Sequence, residues 1–356
     1  MTLLGLTLSV LLGMLVLSIL ASPVLPSLHL PGVGFLPQGA HALPAVPALT
    51  AERRLTQRER AVHREARKLA RERENSLKQV LLLPRKAGPG VDRPMLAIGF
   101  FVNWDDASMS SLRQNLESLD VVIAEWLHLA ADNGALREND AARTAQVTEY
   151  IRARRPEVSI VPLVNNWNGH QWEGTKLARM LASPAARART IEQLSAYVER
   201  HHFAGISIDF ENLPPRAQPD FQRFMAELYA LMHPKNLSVS VNVPANDAAF
   251  DYRRLTLSAD HLIVMAYDEH WNESAPGPIS SLPWFASVLR QRQREIPAEK
   301  MIVAIGSYAY DWQKGRPAEE RTFEEAVLIA KESEGRIRLD PASLNPHFDY
   351  ADDDDK

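Results

Sequence analysis

From Met95 onward, short apolar runs alternate with amphipathic stretches. MLAIGFF, VVIAEWLHL, VSIVPLV, FAGISIDF, LSVSVNV, HLIVMAY and MIVAIGS are short apolar runs that read in order as seven strands. Between them SMSSLRQNLESL, DAARTAQVTEYIRAR, SPAARARTIEQLSAYVERH, AQPDFQRFMAELYALM, SLPWFASVLRQRQRE and TFEEAVLIAKES predict helices. Ser, Asp or Thr stands near several of their starts as a cap. Strands that alternate with helices predict a parallel α/β architecture, and seven such units point to a (β/α)8 TIM barrel short of its eighth strand. The rival is a doubly wound open sheet, but its Gly-rich phosphate turn is missing: FFVNWDD follows the first strand instead. After Gly335, RIRLDPASLNPHFDYADDDDK holds two short strand-like pieces and stops on a charged turn where an eighth strand is expected. The barrel therefore reads as truncated, and DDDDK as an acidic hairpin turn or an engineered tag.

Upstream, LLGLTLSVLLGMLVLSILA (residues 3–21) is an uncharged run of roughly the 20 residues that cross a bilayer core. It is either a retained anchor or a signal peptide cleaved after Ala40-His41-Ala42. Its length, and the distance to that cleavage site across a proline-rich spacer, favour the anchor. The first charged residue is Glu52, so no basic residue flanks the run, which suggests a start inside a longer natural chain. The expected organisation is a transmembrane anchor or signal segment over residues 1–22, a Pro-rich linker over 23–50, a charged helical stalk over 51–90, and the barrel over 91–356. Interleaved glutamates argue against reading the arginines of the stalk as a lipid-binding segment. An anchor of this kind places the barrel on the extracytoplasmic side, periplasmic or extracellular; cleavage would make it secreted.

The composition of the 356 residues narrows the chemistry. Net charge −4 and a pI of about 6.3 give no reason to expect nucleic acid as a partner. The chain has no cysteine, so disulfides, thiolate metal sites and cysteine nucleophiles are excluded. The eleven histidines make no convincing metal set: His201 and His202 adjoin at a helix end, His128 follows the second strand, and surface or cap roles suit them. No metal or cofactor is expected.

In such a barrel the active site lies where the strands end, so the positions at which apolar runs turn polar carry the chemistry. GISIDFENLPP (residues 205–215) puts Ser207, Asp209 and Glu211 on one face, at about 7 Å per step. Two carboxylates this close cannot both ionise freely, which is what a general acid requires near neutral pH. The plainer alternative is a turn cap, or a salt bridge to Arg200 or Arg216. A second strand end, IVMAYDEHW, delivers Tyr267 and Asp268 to the same mouth. Asn165, Asn166 and Trp167 in LVNNWNG suit sugar hydroxyls and faces, with a turn-forming Asn pair as the alternative. Asn103 and Trp104, Asn242, and Tyr308 to Trp312 complete the expected cleft lining.

AGISIDFE resembles the fourth-strand DGxDxDxE signature of family 18 glycoside hydrolases, the chitinase family, and MAYD resembles that family's Met-x-Tyr-Asp motif. The resemblance covers residues 95–350 and implies a TIM-barrel glycosidase. By position it makes Glu211 the proton donor, Asp209 and Tyr267 the residues that hold the substrate's acetamido group, and Asp268 a sugar-binding neighbour. It implies a retaining, substrate-assisted mechanism in which the 2-acetamido oxygen is the nucleophile, and a β-linked N-acetylglucosamine-type polysaccharide as partner. Ala204 and Ser207 stand where the family has its earlier aspartates, which leaves a non-catalytic glycan-binding barrel, or a scaffold with a vestigial cleft, as the other expectations. With its hydrophobic start, the chain also resembles the amino-terminal module of bacterial membrane proteins that continue into polysaccharide deacetylase and glycosyltransferase domains.

Overall fold

The structure is a computed structural model that describes residues 4–8, 96–130 and 133–351. A first strand, β1 (Leu4–Leu8), precedes β2 (Ile98–Val102), β3 (Val121–Ala130), β4 (Ala135–Glu138), β5 (Ser159–Asn165), β6 (Gly205–Asp209), β7 (Ser238–Pro244), β8 (His261–Met265) and β9 (Met301–Ala304). Seven of these pair in parallel in the order β2-β3-β5-β6-β7-β8-β9, each beside its predecessor in the chain, while β4 folds back antiparallel on β3. A doubly wound sheet reverses its strand order at a switch point, and this one does not. The fold is a (β/α)8 barrel short of one strand, and the seven strands read from the apolar runs are its seven staves.

Helices α1 (Asp106–Asn115), α2 (Ala141–Arg154), α3 (Gly174–Ala182), α4 (Pro184–His201), α5 (Gln218–Met232), α6 (Tyr252–Leu255) and α7 (Leu282–Arg292) connect the strands. Side-chain caps start several of them. Asp105, Asp140, Ser183 and Ser281 each accept a hydrogen bond from a backbone N–H of the first turn, satisfying a donor that the helix itself cannot. Helix α3 and the one-turn α6 are not apparent in the sequence, because each is little more than a punctuated stretch between stronger patterns.

Alternation along the strands sends every second side chain out to the helices and the others into the barrel. Outward, Trp126, Ile206, Ile208, Val239, Val241, Leu262 and Val264 pack against Leu177, Val198, Phe221, Phe224 and Leu228 in the main core. Each such residue contributes on the order of 1.5–3 kcal/mol. Inward, Ile123, Val161, Leu163 and Ile263 close the barrel interior with Ile98, Phe100, Ile302 and Ala304. This dry plug lies below the strand ends, so polar groups above it have protein rather than water beneath them.

Beyond β9 the chain departs from expectation. Residues 305–307 lead straight into β10 (Tyr308–Trp312), followed by β11 (Glu319–Thr322), α8 (Phe323–Glu332), β12 (Arg338–Leu339) and β13 (Pro346–Tyr350). These strands form a second, antiparallel sheet in the order β11-β10-β1-β13-β12. Helix α8, expected to cover the barrel, packs on this small sheet, where Ala326 and Ala330 meet Ala309 and Phe348. Three residues between β9 and β10 leave no length for a crossover helix, so the seventh barrel strand feeds a hairpin.

Leu4–Leu8 is the described part of the run expected to cross a membrane, and its backbone pairs with β10 and β13. The rest of that run, the linker and the charged stalk lie outside the described residues. No helix among the described residues is long and apolar enough to cross a membrane.

Candidate active site

Near the carboxyl ends of the strands the inward column turns polar. In register, Asn165 on β5 stands beside Asp209 on β6, and Ser207 stands between Leu163 on β5 and Ser240 on β7. Ser207 is fully buried, Asp209 is 2% exposed, and Asn242 on β7 is buried beside them. Burial pushes the Asp209 carboxyl up to about 6, offset by a hydrogen bond from Asn242. Asp209 Oδ1, Ser207 Oγ and Asn242 Oδ1 have no hydrogen-bond partner in the protein. Buried oxygens without partners in a native fold mark a place where another polar group belongs.

Glu211 follows the end of β6, and part of its surface stays open to the mouth while protein surrounds its carboxyl. Burial, then the charges of Asp209, Asp268 and Glu125, hold that carboxyl well above the usual range. It therefore keeps its proton where an exposed glutamate has lost it. Among the described residues no cation acts on either carboxyl, and the salt bridge to Arg200 or Arg216 does not form. The backbone of Glu211 is clamped by one side chain: its N–H donates to Asn166 Oδ1 (2.8 Å), and its carbonyl accepts from Asn166 Nδ2 (3.0 Å). Next to it, Asn212 has φ 53°, and a Cβ on Gly174 would lie 1.8 Å from the Asn212 carbonyl oxygen. The turn after the acid rests directly on the start of α3.

Tyr267 and Asp268 follow β8. Burial, with Asp209, Asp268, Glu211 and Glu125 nearby, keeps the Tyr267 phenol protonated well above its ordinary range, hence a donor. Its ring stands edge-on to Tyr308 at 5.9 Å and 90°, and Tyr308 likewise to Tyr310 at 5.6 Å. Asp268 has φ 60° and accepts hydrogen bonds from the Tyr308 and Tyr310 hydroxyls. The left-handed backbone, tolerable for Asp, turns its carboxylate back over the small sheet.

The remaining sequence-predicted residues fall into two groups. Trp104 and Trp167 are half-buried at the mouth, Trp167 edge-to-face with Trp172 at 5.3 Å. Asn103, Asn165 and Asn166 are buried and bonded to the protein. Asn103 exchanges hydrogen bonds with Asn139, and Asn165 donates to Glu125 Oε1 (2.8 Å) and bonds His128 Nδ1 (2.6 Å). His128, read from sequence as a surface or cap residue, is buried within β3. The strand runs on past Glu125 through an irregularity between Glu125 and Leu127, which carries His128 inside. His202 is the left-handed cap of α4, as its place at a helix end implied.

Glu125 itself was missed. It is 5% exposed, and burial followed by the Asp209 charge holds its carboxyl well above the usual range. The signal was present: Val121, Ile123 and Glu125 share one face of an otherwise apolar strand. No group of His, Asp and Glu among the described residues could hold a metal ion.

Residues 97–353 match the model of glycosyl hydrolases family 18. This chain belongs to that family. It is 26% identical over 266 residues to an uncharacterized glycosylase of Bacillus subtilis, YvbX, covering 71% of this chain and 75% of the relative. It is 23% identical to the cortical fragment-lytic enzyme of Bacillus subtilis, covering 63% of this chain and about half, 54%, of that protein. Among solved structures, a class V chitinase from Pseudomonas fluorescens Pf-5 superposes with a TM-score of 0.65 at 23% identity, covering 71% of this chain and 80% of the other. This family 18 member is accordingly a glycosidase by descent, and its matched region takes in β10 to β13 of the small antiparallel sheet.

Proposed function

We propose that the chain hydrolyses β-linked N-acetylglucosamine-type polysaccharide with retention, using the substrate's acetamido group as nucleophile. Glu211, whose carboxyl burial and the neighbouring carboxylates hold protonated well above its ordinary range, gives its proton to the leaving glycosidic oxygen and then, as carboxylate, takes one from the attacking water. Asp209, the buried carboxyl raised to about 6, orients the acetamido N–H through Oδ1 and stabilises the positive charge that develops on the cyclised amide. Tyr267 donates its phenolic hydrogen to the acetamido oxygen and so holds it in line with the anomeric carbon. The observation that carries this reading is the division of labour between two carboxyls on one strand end. Burial raises both, but Asp209 only to about 6 and Glu211 well beyond its ordinary range. The chitinase and cortex-lytic names of the similar proteins support a substrate built on N-acetylated hexosamine.

The test is turnover of soluble N-acetylglucosamine oligomers by the full chain. Glu211→Gln is expected to lower kcat by about 100- to 10,000-fold, the usual worth of a general acid. Unchanged turnover in that variant would refute the assignment.

Ser207, whose hydroxyl has no partner behind Asp209, favours a second reading: a glycan-binding barrel in a cell-surface polysaccharide system. Binding of the same oligomers without cleavage, unaffected by Glu211→Gln, would select it. In either case we place the barrel outside the cytoplasm, with deacetylase and glycosyltransferase domains as its companions; the apolarity of residues 3–21 supports that location, while Leu4–Leu8 of the same run pair within the small sheet.

A further inference from the structure

Glu125 takes no part in the chemistry just described, yet it is a buried carboxyl on β3 within reach of the Asp209 charge. Its Oε1 accepts from Asn165 Nδ2 at 2.8 Å. Asn165 Oδ1 in turn accepts from the Trp167 backbone N–H at 3.2 Å. Because a backbone N–H can only donate, the amide is oriented unambiguously, and Nδ1 of His128, 2.6 Å from the same oxygen, must carry the proton. Asn165, itself fully buried, is thus held from β3 by two side chains and from its own turn by one backbone group. The next residue, Asn166, is the side chain that clamps both backbone groups of Glu211.

We propose that Glu125 is a positioning residue for the acid Glu211, acting through the amides of Asn165 and Asn166. The inference rests on the glycosidase reading above. The path is continuous: Glu125 orients Asn165, Asn165 sets the turn that carries Asn166, and Asn166 sets the backbone of Glu211. A purely structural position between β3 and β5 would be filled at lower cost by an apolar residue, since a buried carboxyl loses its hydration. What an acid adds is an acceptor for Asn165 together with an O–H donor, and it holds its proton because burial and the Asp209 charge oppose ionisation. The groups facing Glu125 are Asp209 on β6, Glu320 on β11 and Asn165 on β5, with His128 reached through Asn165 and Arg137 acting on His128 from β4. Glu125 in turn raises the carboxyl of Glu211 and the phenol of Tyr267.

The test compares Glu125→Leu and Glu125→Gln in the full chain, with N-acetylglucosamine oligomers as substrate. Glu125→Leu removes the acceptor, so kcat is expected to fall about 10- to 100-fold with KM nearly unchanged, the effect of displacing a reacting group by about 1 Å. Glu125→Gln keeps an acceptor and a donor in the same volume and is expected to restore most of kcat. A Leu variant that turns over like the wild type, or a Gln variant as impaired as Leu, overturns the proposal. Should Glu125→Leu not fold by circular dichroism, Asn165→Ala breaks the same path one step later, and a kcat equal to wild type in that variant overturns the proposal instead. Absence of turnover in the wild type removes the glycosidase reading itself, an outcome distinct from equal turnover in all three proteins.

Discussion

Asp209→Asn offers a measurement of what the site costs the fold. Burial raises the Asp209 carboxyl from an ordinary 3.8 to about 6. Between those values the folded protein holds a proton that the unfolded chain has released, so stability falls as pH rises through the interval. Below it Asp209 contributes no pH dependence, and above it the native state carries the full penalty of an ionised buried carboxylate. At 1.36 kcal/mol for each factor of ten in the proton equilibrium, the interval is worth about 3 kcal/mol. Asparagine keeps the shape and an oxygen facing Asn242 but cannot ionise. The difference in unfolding free energy between Asp209→Asn and wild type should therefore grow in favour of the variant by up to about 3 kcal/mol between about pH 3.5 and pH 8. Urea titration followed by tryptophan fluorescence reads both proteins across that range, and the change with pH is insensitive to any constant packing difference between Asn and Asp. A difference that stays flat with pH, or that moves against the variant, would refute the claim that Asp209 ionises at a cost inside the barrel. The same variant should lose turnover, so stability gained with activity lost would identify strain held for function.

Two further substitutions probe the supports of the site. Asn166→Ala removes two hydrogen bonds from half-buried backbone groups of Glu211, so a loss of about 1–3 kcal/mol in urea unfolding and a drop in kcat are expected together; loss of stability alone would mean that the clamp does not position Glu211. At Gly306 an added Cβ would lie 2.6 Å from Tyr308 Cε1 and 3.1 Å from Tyr267 Cβ, so Gly306→Ala should displace Tyr267 and lower kcat more than it lowers Tm; a kcat equal to wild type would show that the Tyr267 ring is not held by this contact.

Much of the fold was legible in the chain because a barrel strand announces itself locally. A short apolar run flanked by capped helical stretches forms a stave wherever it sits, and the strand ends named Asp209, Glu211 and Tyr267 as the polar groups at the mouth. Family membership was legible for the same reason, since its motifs lie within single strands. Whatever depended on contacts between strands was not. Asn165 and Asn166 read as sugar ligands or as a turn-forming pair from their place in LVNNWNG, but only their neighbours across β3 and β6 show that their amides are already engaged with Glu125, His128 and the Glu211 backbone. Helix α8 had the pattern of a barrel helix, and the immediate hairpin after β9 turned it onto another sheet. Sequence determined the staves, the caps and which polar residues reach the mouth, because these follow from periodicity along the chain. Tertiary structure alone decided which carboxyls burial raises and which amide holds the Glu211 backbone in place. Burial and hydrogen bonding are properties of what packs against a side chain, and Glu125, forty residues from Asn165, becomes part of this site only when β3 and β5 lie side by side.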